Sequence, residues 1–568
     1  MSEERKEIKG QTYQEIEENT IRKLSWRMAQ RDDKKVARDI YEKREIDGIY
    51  NLEDSGLLDG FYEWLQEWKI IETLKKFRPS EIERVMVPFF QFVLLYFLKT
   101  LFGIESMNSL PHLLFSNQAA MNLVGFNAYQ IEEGVCRRGE SRRKHKPKSG
   151  PICDDTLARN MIKIPLKIIE QFFNQVVKIL ARGGFFPKTI SVIIDPTDIQ
   201  TTAEWKGCGK VIRKKRIKDK RGQWKEIEIY VYGWKLIVVF YAPLKIPLAA
   251  KLVKIEESEK NYTMELIKKA QENLGSETKI IRVKMDRGHL DGKTLWQMNK
   301  EGLEFVIPGR SDMQVTKHAR RLAKVIMEEA GGIPNSPGIK KVGGGGYIQV
   351  RKNLVRRGIG ENQKTEKLRT VVIGIKGVVS YDQYGADGFS KDRYKKSFQP
   401  HKINAVVVVE WEGKNYGRDK WVVYLTNMRV YKPIKVFDEY DERSIIENSL
   451  FKEAKQGWFI KHAPQKTEKA LHIHTFFTLA VFALTNAYRR WSEEREKEES
   501  QDFLLGIRRW REKVNMKSKD KSLVFMGNWY GIFWMAEIMV LLGVKVRDIP
   551  PKAGTAKEIL ARYGIRPP

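Results

Sequence analysis

At 568 residues the chain is too long for a single core, and two or three domains are expected. Lysine and arginine number 103 against 72 acidic residues, a formal net charge of +31, so the partner to look for is a polyanion, nucleic acid before a membrane surface. The three cysteines, Cys136, Cys153 and Cys208, lie far apart without CxxC spacing, which excludes a disulfide framework or a structural zinc site and fits a reducing cytosol.

The N-terminal MSEERKEIKG lacks the apolar core of a signal peptide. Residues 1 to 50 read as charged and largely helical, with Ile16, Ile21, Leu24 and Trp26 as a small apolar set. From 54 to 125 the chain is strongly apolar. The run VMVPFFQFVLLYFLKTLFGI is interrupted by Pro88, Gln91 and Lys99, too short an apolar stretch for the roughly 20 residues of a bilayer span, and a buried helix is expected. The basic tract RRGESRRKHKPK (137–148) reads as a solvated or phosphate-contacting loop, and Asp154-Asp155-Thr156 as the cap of a helix running to about 180. Residues 1–185 are therefore expected to form an all-helical N-terminal region.

Gly183, Gly184 and Pro187 open the next region. TISVIID reads as a buried strand ending at Asp195. A basic insertion follows, in which Lys210, Arg213, Lys214, Lys215, Arg216, Lys220 and Arg221 are the candidates for phosphate contacts. Trp205 and Trp224 flank it and read as packing residues. GWKLIVVFYAPLKIPLAAKLVKI reads as two antiparallel strands, NYTMELIKKAQENLG as a helix, and KIIRVKM as a second buried strand, ending at Asp286. Arg287 beside it is a further phosphate candidate; Gly288 permits a sharp turn and His289 reads as a polar loop histidine. Asp291 caps a helix closed by Gly302, and the strand EFVIPG follows.

Residues 310–420 read as a β-rich insertion: a helix near 314–330, a glycine-rich hairpin at Gly343–Gly346 without the GKS/T of a phosphate loop, then strands. Trp411 and Trp421 stand in these strands, where the alternation fits ordinary β packing. YDERSIIENSLFKEAK, Tyr440 to Lys455, reads as one helix. At about 100° per residue, Tyr440, Arg443 and Glu447 fall within roughly 60° of one another on it. ALHIHTFFTLAVFALTNAYRRW reads as a core helix packed on the catalytic sheet, and 491–568 as a helical C-terminal region with an apolar helix in NWYGIFWMAEIMVLLGV.

Two strand-end aspartates and a helix-borne glutamate make an oxygen-donor set suited to Mg²⁺ or Mn²⁺ rather than zinc. At Asp195, Asp286 in DRG, and Tyr440, Arg443 and Glu447 the chain resembles insertion-sequence transposases of the DDE class, the family-four group with the signature Tyr-x2-Arg-x3-Glu-x6-Lys. The signature lysine falls at Ala454; the nearest basic residue is Lys455, one position late. The resemblance spans roughly 190 to 490. It implies an α/β fold with a ribonuclease H-like catalytic core (186–309 and 421–490) interrupted by the β-rich insertion. It further implies two divalent ions, Mg²⁺ or Mn²⁺, on Asp195, Asp286 and Glu447, with Tyr440, Arg443 and Lys455 at the scissile phosphate, Trp411 or Trp421 as the aromatic that receives a flipped base, and 1–185 as the DNA-binding region that recognises the element ends. Implied partners are double-stranded DNA, as element ends and target, and a second copy of the chain in the synaptic complex, in the cytoplasm of a prokaryote and with no membrane. An inactive DNA-binding descendant and a same-fold metal-dependent nuclease are the alternatives.

Overall fold

The computed structural model describes residues 30–52, 58–79, 87–126, 130–131, 134, 151–218, 224–357, 364–378, 403–417, 420–499 and 521–544. The apolar set Ile16 to Trp26, the tract 137–148, Lys220 and Arg221 lie outside them. The chain divides into two compact units, Met1–Val176 with Ala454–Pro568, and Val177–Glu453.

The first unit opens with strand β1 (Gln30–Arg31), helix α1 (Asp33–Lys43) and strand β2 (Gly48–Asn51). Asp32 caps α1, its Oδ1 accepting from the Lys35 amide at 2.9 Å. Helix α2 (Phe89–Leu101) is the buried helix expected of the apolar run. Two of its polar interruptions are anchored inside: Gln91 Nε2 donates to the Val124 carbonyl at 3.0 Å and Lys99 Nζ to that of Ile104 at 2.7 Å. Burial lowers the Lys99 pKa to about 8, against the opposing charge of Glu105. The helix expected up to 180 is two, α3 (Asp154–Met161) and α4 (Leu166–Arg182). Pro165 lacks the amide that would continue the first and disfavours helical backbone at Ile164.

The second unit is built on one large sheet. Its strands are β3 (Thr189–Thr201), β4 (Gly209–Lys218), β5 (Trp224–Tyr241), β6 (Ile246–Lys254), β7 (Lys279–Met285) and β8 (Glu304–Pro308). Helix α5 (Thr263–Leu274) precedes β7, and α6 (Gly292–Lys300) follows it, capped by Asp291 as expected. β3 lies between β5, antiparallel, and β7, parallel; β6 pairs antiparallel with β5, and β8 parallel with β7. The sheet continues past β8. After α7 (Gln314–Glu329), strands β9 (Gly338–Val342), β10 (Gly346–Arg357), β11 (Lys364–Ile375), β12 (Asn404–Trp411), β13 (Lys414–Asn415) and β14 (Val422–Thr426) follow. The sheet order from β8 onward is β14, β12, β11, β10, β9, all antiparallel. Residues 310–420 thus add their strands to the core sheet. The glycine run at 343–345 is the turn between β9 and β10, with φ +68° and +84° at Gly344 and Gly345.

Helix α8 (Pro433–Asp441) lies on this extended sheet. Ile434, Val436 and Phe437 pack on Val306, Val372, Val406, Val408 and Tyr424. Gly374 is glycine because a Cβ there would stand 2.3 Å from the Val430 carbonyl.

The chain then returns to the first unit. α9 (Lys452–Gln456) crosses the division between the units, and α10 (Glu468–Glu499) follows. The stretch Glu468–Ser492 is long and apolar enough to cross a membrane, yet 83% of its apolar window is buried, as in a core helix. Among its neighbours are N-terminal residues of its own unit: Phe477 meets Phe77, Tyr96 and Phe172, and Tyr96 bonds His474 Nδ1 at 2.9 Å. The expected C-terminal helix begins instead as a hairpin, β15 (Lys521–Met526) and β16 (Trp529–Trp534), before α11 (Met535–Leu541). Met526 pairs with Trp529, leaving Gly527-Asn528 as a two-residue turn. β15 and β16 pair with β2 and β1, so among the described residues two short strands interrupt the helices of the N-terminal region.

Candidate active site

Asp195 does not end its strand. β3 continues to Thr201, but its pairing with β7 stops at Ile194 opposite Met285. Asp195 and Asp286 are the next residue on each strand, so the two carboxyls stand side by side where β7 ends. Asp195 is 4% exposed, and Asp286 leads into the short turn Arg287–His289.

The third acid arrives on a broken helix. α8 ends at Asp441, Glu442 and Arg443 form a turn, and Ile446–Phe451 is a π-helical turn continued by α9. The single helix expected over 440–455 is therefore three pieces. The π turn takes in one residue more than an α turn would, the same offset by which Lys455 misses the signature position. Lys455 itself lies in α9, beside the buried Ala454.

Arg443 is the centre of the cluster. Its Nη1 lies 2.9 Å from Asp195 Oδ1 and 3.0 Å from Glu447 Oε1, and its Nε donates to the Tyr440 hydroxyl at 3.1 Å. Tyr440 packs on Tyr424 with ring centroids 4.6 Å apart. The electrostatics are mutual. Burial, reinforced by Asp286 and Glu447, pushes the Asp195 pKa up to about 7 against the pull of Arg443. Burial, with the charges of Asp286 and Asp195, raises that of Tyr440 to about 12, so it remains a phenol at neutral pH. Burial disfavours the Arg443 charge, but Asp195, Tyr440, Asp286 and Glu447 outweigh it and raise its pKa. The five residues expected on separate strands and a helix thus meet at one place. Glu447 is the open member, with 54% of its side chain exposed.

Around them is a supporting layer that sequence reading missed. Arg282, Lys284 and Asp286 alternate along and just past β7. Lys284, 2% exposed, pairs with Glu439 at 3.0 Å and with Glu442; Arg282 pairs with Glu439 and, at 2.6 Å, with Glu304. From β10, Arg351 reaches Asp438 at 2.7 Å. These pairs tie α8 to the sheet just before it delivers Tyr440 and Arg443. The visible signal was RVKMD, with a charge at every second residue of an otherwise apolar strand, facing glutamates three apart on a helix.

His289 is wholly buried, where an open polar loop was expected. Its Nδ1 bonds Thr263 Oγ1 at 2.8 Å, and burial lowers its pKa to about 4 against the opposing charges of Glu259 and Asp286. The neighbouring Glu259 is held by Lys235 at 2.7 Å.

The remaining candidates fall elsewhere in the unit. Lys210, Lys214, Lys215 and Arg216 are exposed on β4, while Arg213 is tied to Asp198 at 2.5 Å. Arg287 is exposed beside Asp286. Trp411 is 39% exposed and stands edge-on to Phe437. Trp421 is 3% exposed with its indole N–H on the Tyr416 carbonyl, so it lacks the open face that a stacking platform needs. Among the described residues, a tighter group of possible ligand atoms is Cys153, Asp154 and Asp155, sequence neighbours at the start of α3 in the other unit.

Residues 187–484, more than half of the chain, match the transposase DDE domain. The chain belongs to that family and is a DNA transposase. A solved structure similar over much of its length is the piggyBac transposase synaptic complex with hairpin DNA. It is 10% identical, with 88% of this chain and 82% of that chain covered and a TM-score of 0.31. No curated protein matches.

Proposed function

We propose that this transposase cuts DNA at the ends of an insertion sequence and joins those ends to target DNA, in the manner of the Tyr-Arg-Glu-Lys signature group. The observation that carries the reading is the meeting of Asp195, Asp286, Glu447, Tyr440 and Arg443 where β7 ends, inside the segment matched by the family. The ribonuclease H-like reading of the core is supported by the sheet order β6, β5, β3, β7, β8, with only the β3, β7 and β8 neighbours parallel.

Asp195, Asp286 and Glu447 suit a hard divalent cation. All are carboxylates, and the need of the group for positive charge is met here by Arg443, bridging two of them. Two Mg²⁺ or Mn²⁺ ions held there would supply an activated attacking oxygen and charge neutralisation at the leaving one. The chain's own residues do the rest. Arg443 brings a fixed cation with several N–H donors to a phosphate oxygen, and Tyr440, kept protonated, adds an O–H donor. Lys455 is assigned the signature lysine's place through the extra residue of the π turn. Two copies of the chain would hold two element ends together, in the cytoplasm of a prokaryote.

The test is cleavage and strand transfer on the DNA flanking the gene, in Mg²⁺, wild type against Glu447→Gln. Nicking followed by joining, lost in the variant while DNA binding persists, is the expected result. Cutting without joining would make the protein a nuclease; binding without cutting by either protein would make it an inactive descendant. Cleavage surviving Glu447→Gln would move the active site off this turn.

A further inference from the structure

Strands β4 and β5 form an arm. β5 is 18 residues long, and only its second half, from Tyr232, pairs with β3 or, from Trp234, with β6. Among the described residues, 224–231 pair with β4 alone, and β4 pairs with no other strand. A two-stranded ribbon therefore runs out beyond the sheet, tied at its base where the Lys210 amide donates to Glu256 at 3.0 Å.

A free two-stranded ribbon is marginal in water, and this one exposes large apolar groups. Ile212, Tyr230 and Trp224 are 54%, 59% and 68% exposed. The register places them on a single face: Ile212 is opposite Tyr230, and Trp224 lies six residues back along the same side. Lys214 and Arg216 share that face, as does Lys210, whose ammonium lies 3.8 Å over the Tyr230 ring. Directly across from Lys214 and Arg216 stand Glu228 and Glu226.

We propose that this face of the β4–β5 ribbon docks in the major groove of duplex DNA. The inference rests on the transposase reading above and adds the element that enters the groove. Three features choose this occupant. The exposed charge is mostly basic, which selects a polyanion over a second copy of a chain carrying +31. A major groove roughly 12 Å wide admits a two-stranded ribbon, whose strands lie about 4.8 Å apart. The glutamates favour groove over backbone: Glu226 holds Lys214 at 3.8 Å, which ties up a cation on a face made only to ride on phosphates, whereas a groove floor offers amino donors to Glu226 and Glu228 and thymine methyl groups to Ile212 and Tyr230. Lys214 and Arg216 then reach the phosphates at the groove walls.

The experiment is equilibrium binding of the full chain to the duplex flanking the gene, over a range of salt. The wild type is compared with Lys214→Ala/Arg216→Ala and with Ile212→Ser/Tyr230→Ala. The basic pair should flatten the slope of log K against log salt by roughly 2. The apolar pair should weaken binding by about tenfold at every salt with the slope unchanged. Replacing the thymines of the site by uracil, which lacks the major-groove methyl group, should weaken the wild type and have little further effect on the apolar pair. Wild-type affinity and slope in both variants would overturn the proposal and leave the transposase reading standing. So would a change of oligomeric state in the apolar variant at unchanged DNA affinity, which would assign the face to a second copy. A wild-type protein that binds no duplex would end both readings.

Discussion

Gly288 has a neighbour that leaves no room for a side chain. A Cβ there would stand 2.0 Å from Glu259 Oε1 and 3.0 Å from its Cδ. Glu259 is not at liberty to swing away, because Lys235 holds its carboxylate at 2.7 Å and both side chains are mostly buried. Gly288→Ala must therefore shift either that ion pair or the turn that begins at Asp286. Overpacking of this sort costs about 1–3 kcal/mol, which a fold survives. A shift near 1 Å at a reacting group costs about 10²-fold in rate. The expected outcome is single-turnover cleavage slowed by about that factor at nearly unchanged DNA affinity and fold. A variant that cleaves as fast as the wild type would show that Asp286 does not depend on the packing behind it.

At the scale of elements, α8 is seated by charge as much as by apolar packing. Lys284 is buried between Glu439 and Glu442, and Arg282 shares Glu439. Removing one partner of a buried pair costs about 3–5 kcal/mol. Lys284→Met should fall at or below the lower end, because Arg282 still neutralises Glu439 and half of the Glu442 side chain is in water. Urea unfolding should show that loss, and adding Glu442→Gln should recover part of it; a single variant as stable as wild type would mean the lysine seats nothing. The expected strands and helices between 189 and 308 are present because each is set by local periodicity, as in TISVIID and KIIRVKM. What could not be read depends on distant partners. β1 and β2 are two and four residues long and exist through β16 and β15, far away in sequence. Residues 310–420 looked separate because their strands are long and self-pairing; they reach the core sheet through β12, which pairs with β14, itself antiparallel to β8. Tyr440, Arg443 and Glu447 do come together as their spacing suggests, although an ideal helix was the wrong scaffold: Arg443 occupies a turn and Glu447 a π turn. Lys284 went unnoticed because a lysine in a strand reads as a surface residue until its partners on α8 are known.

For the whole molecule the governing quantity is the charge of +31, far more than the cluster around Arg443 requires. Each phosphate neutralised by a lysine or arginine releases condensed counterion, so log K should fall with log salt by about 0.9 per contact. If six to ten phosphates are engaged, affinity drops by about 10³–10⁵ between roughly 50 and 200 mM salt. This term is blind to sequence. The duplex flanking the gene and an unrelated duplex of equal length should therefore give nearly parallel lines, displaced by whatever base contacts the specific site adds. Glu447→Gln should lie on the wild-type line or slightly above it, because it removes a half-exposed negative charge without removing a phosphate contact. A slope below about 2 for the wild type would mean that the basic surface is not a DNA-binding surface, and the excess charge would then need another polyanion to explain it.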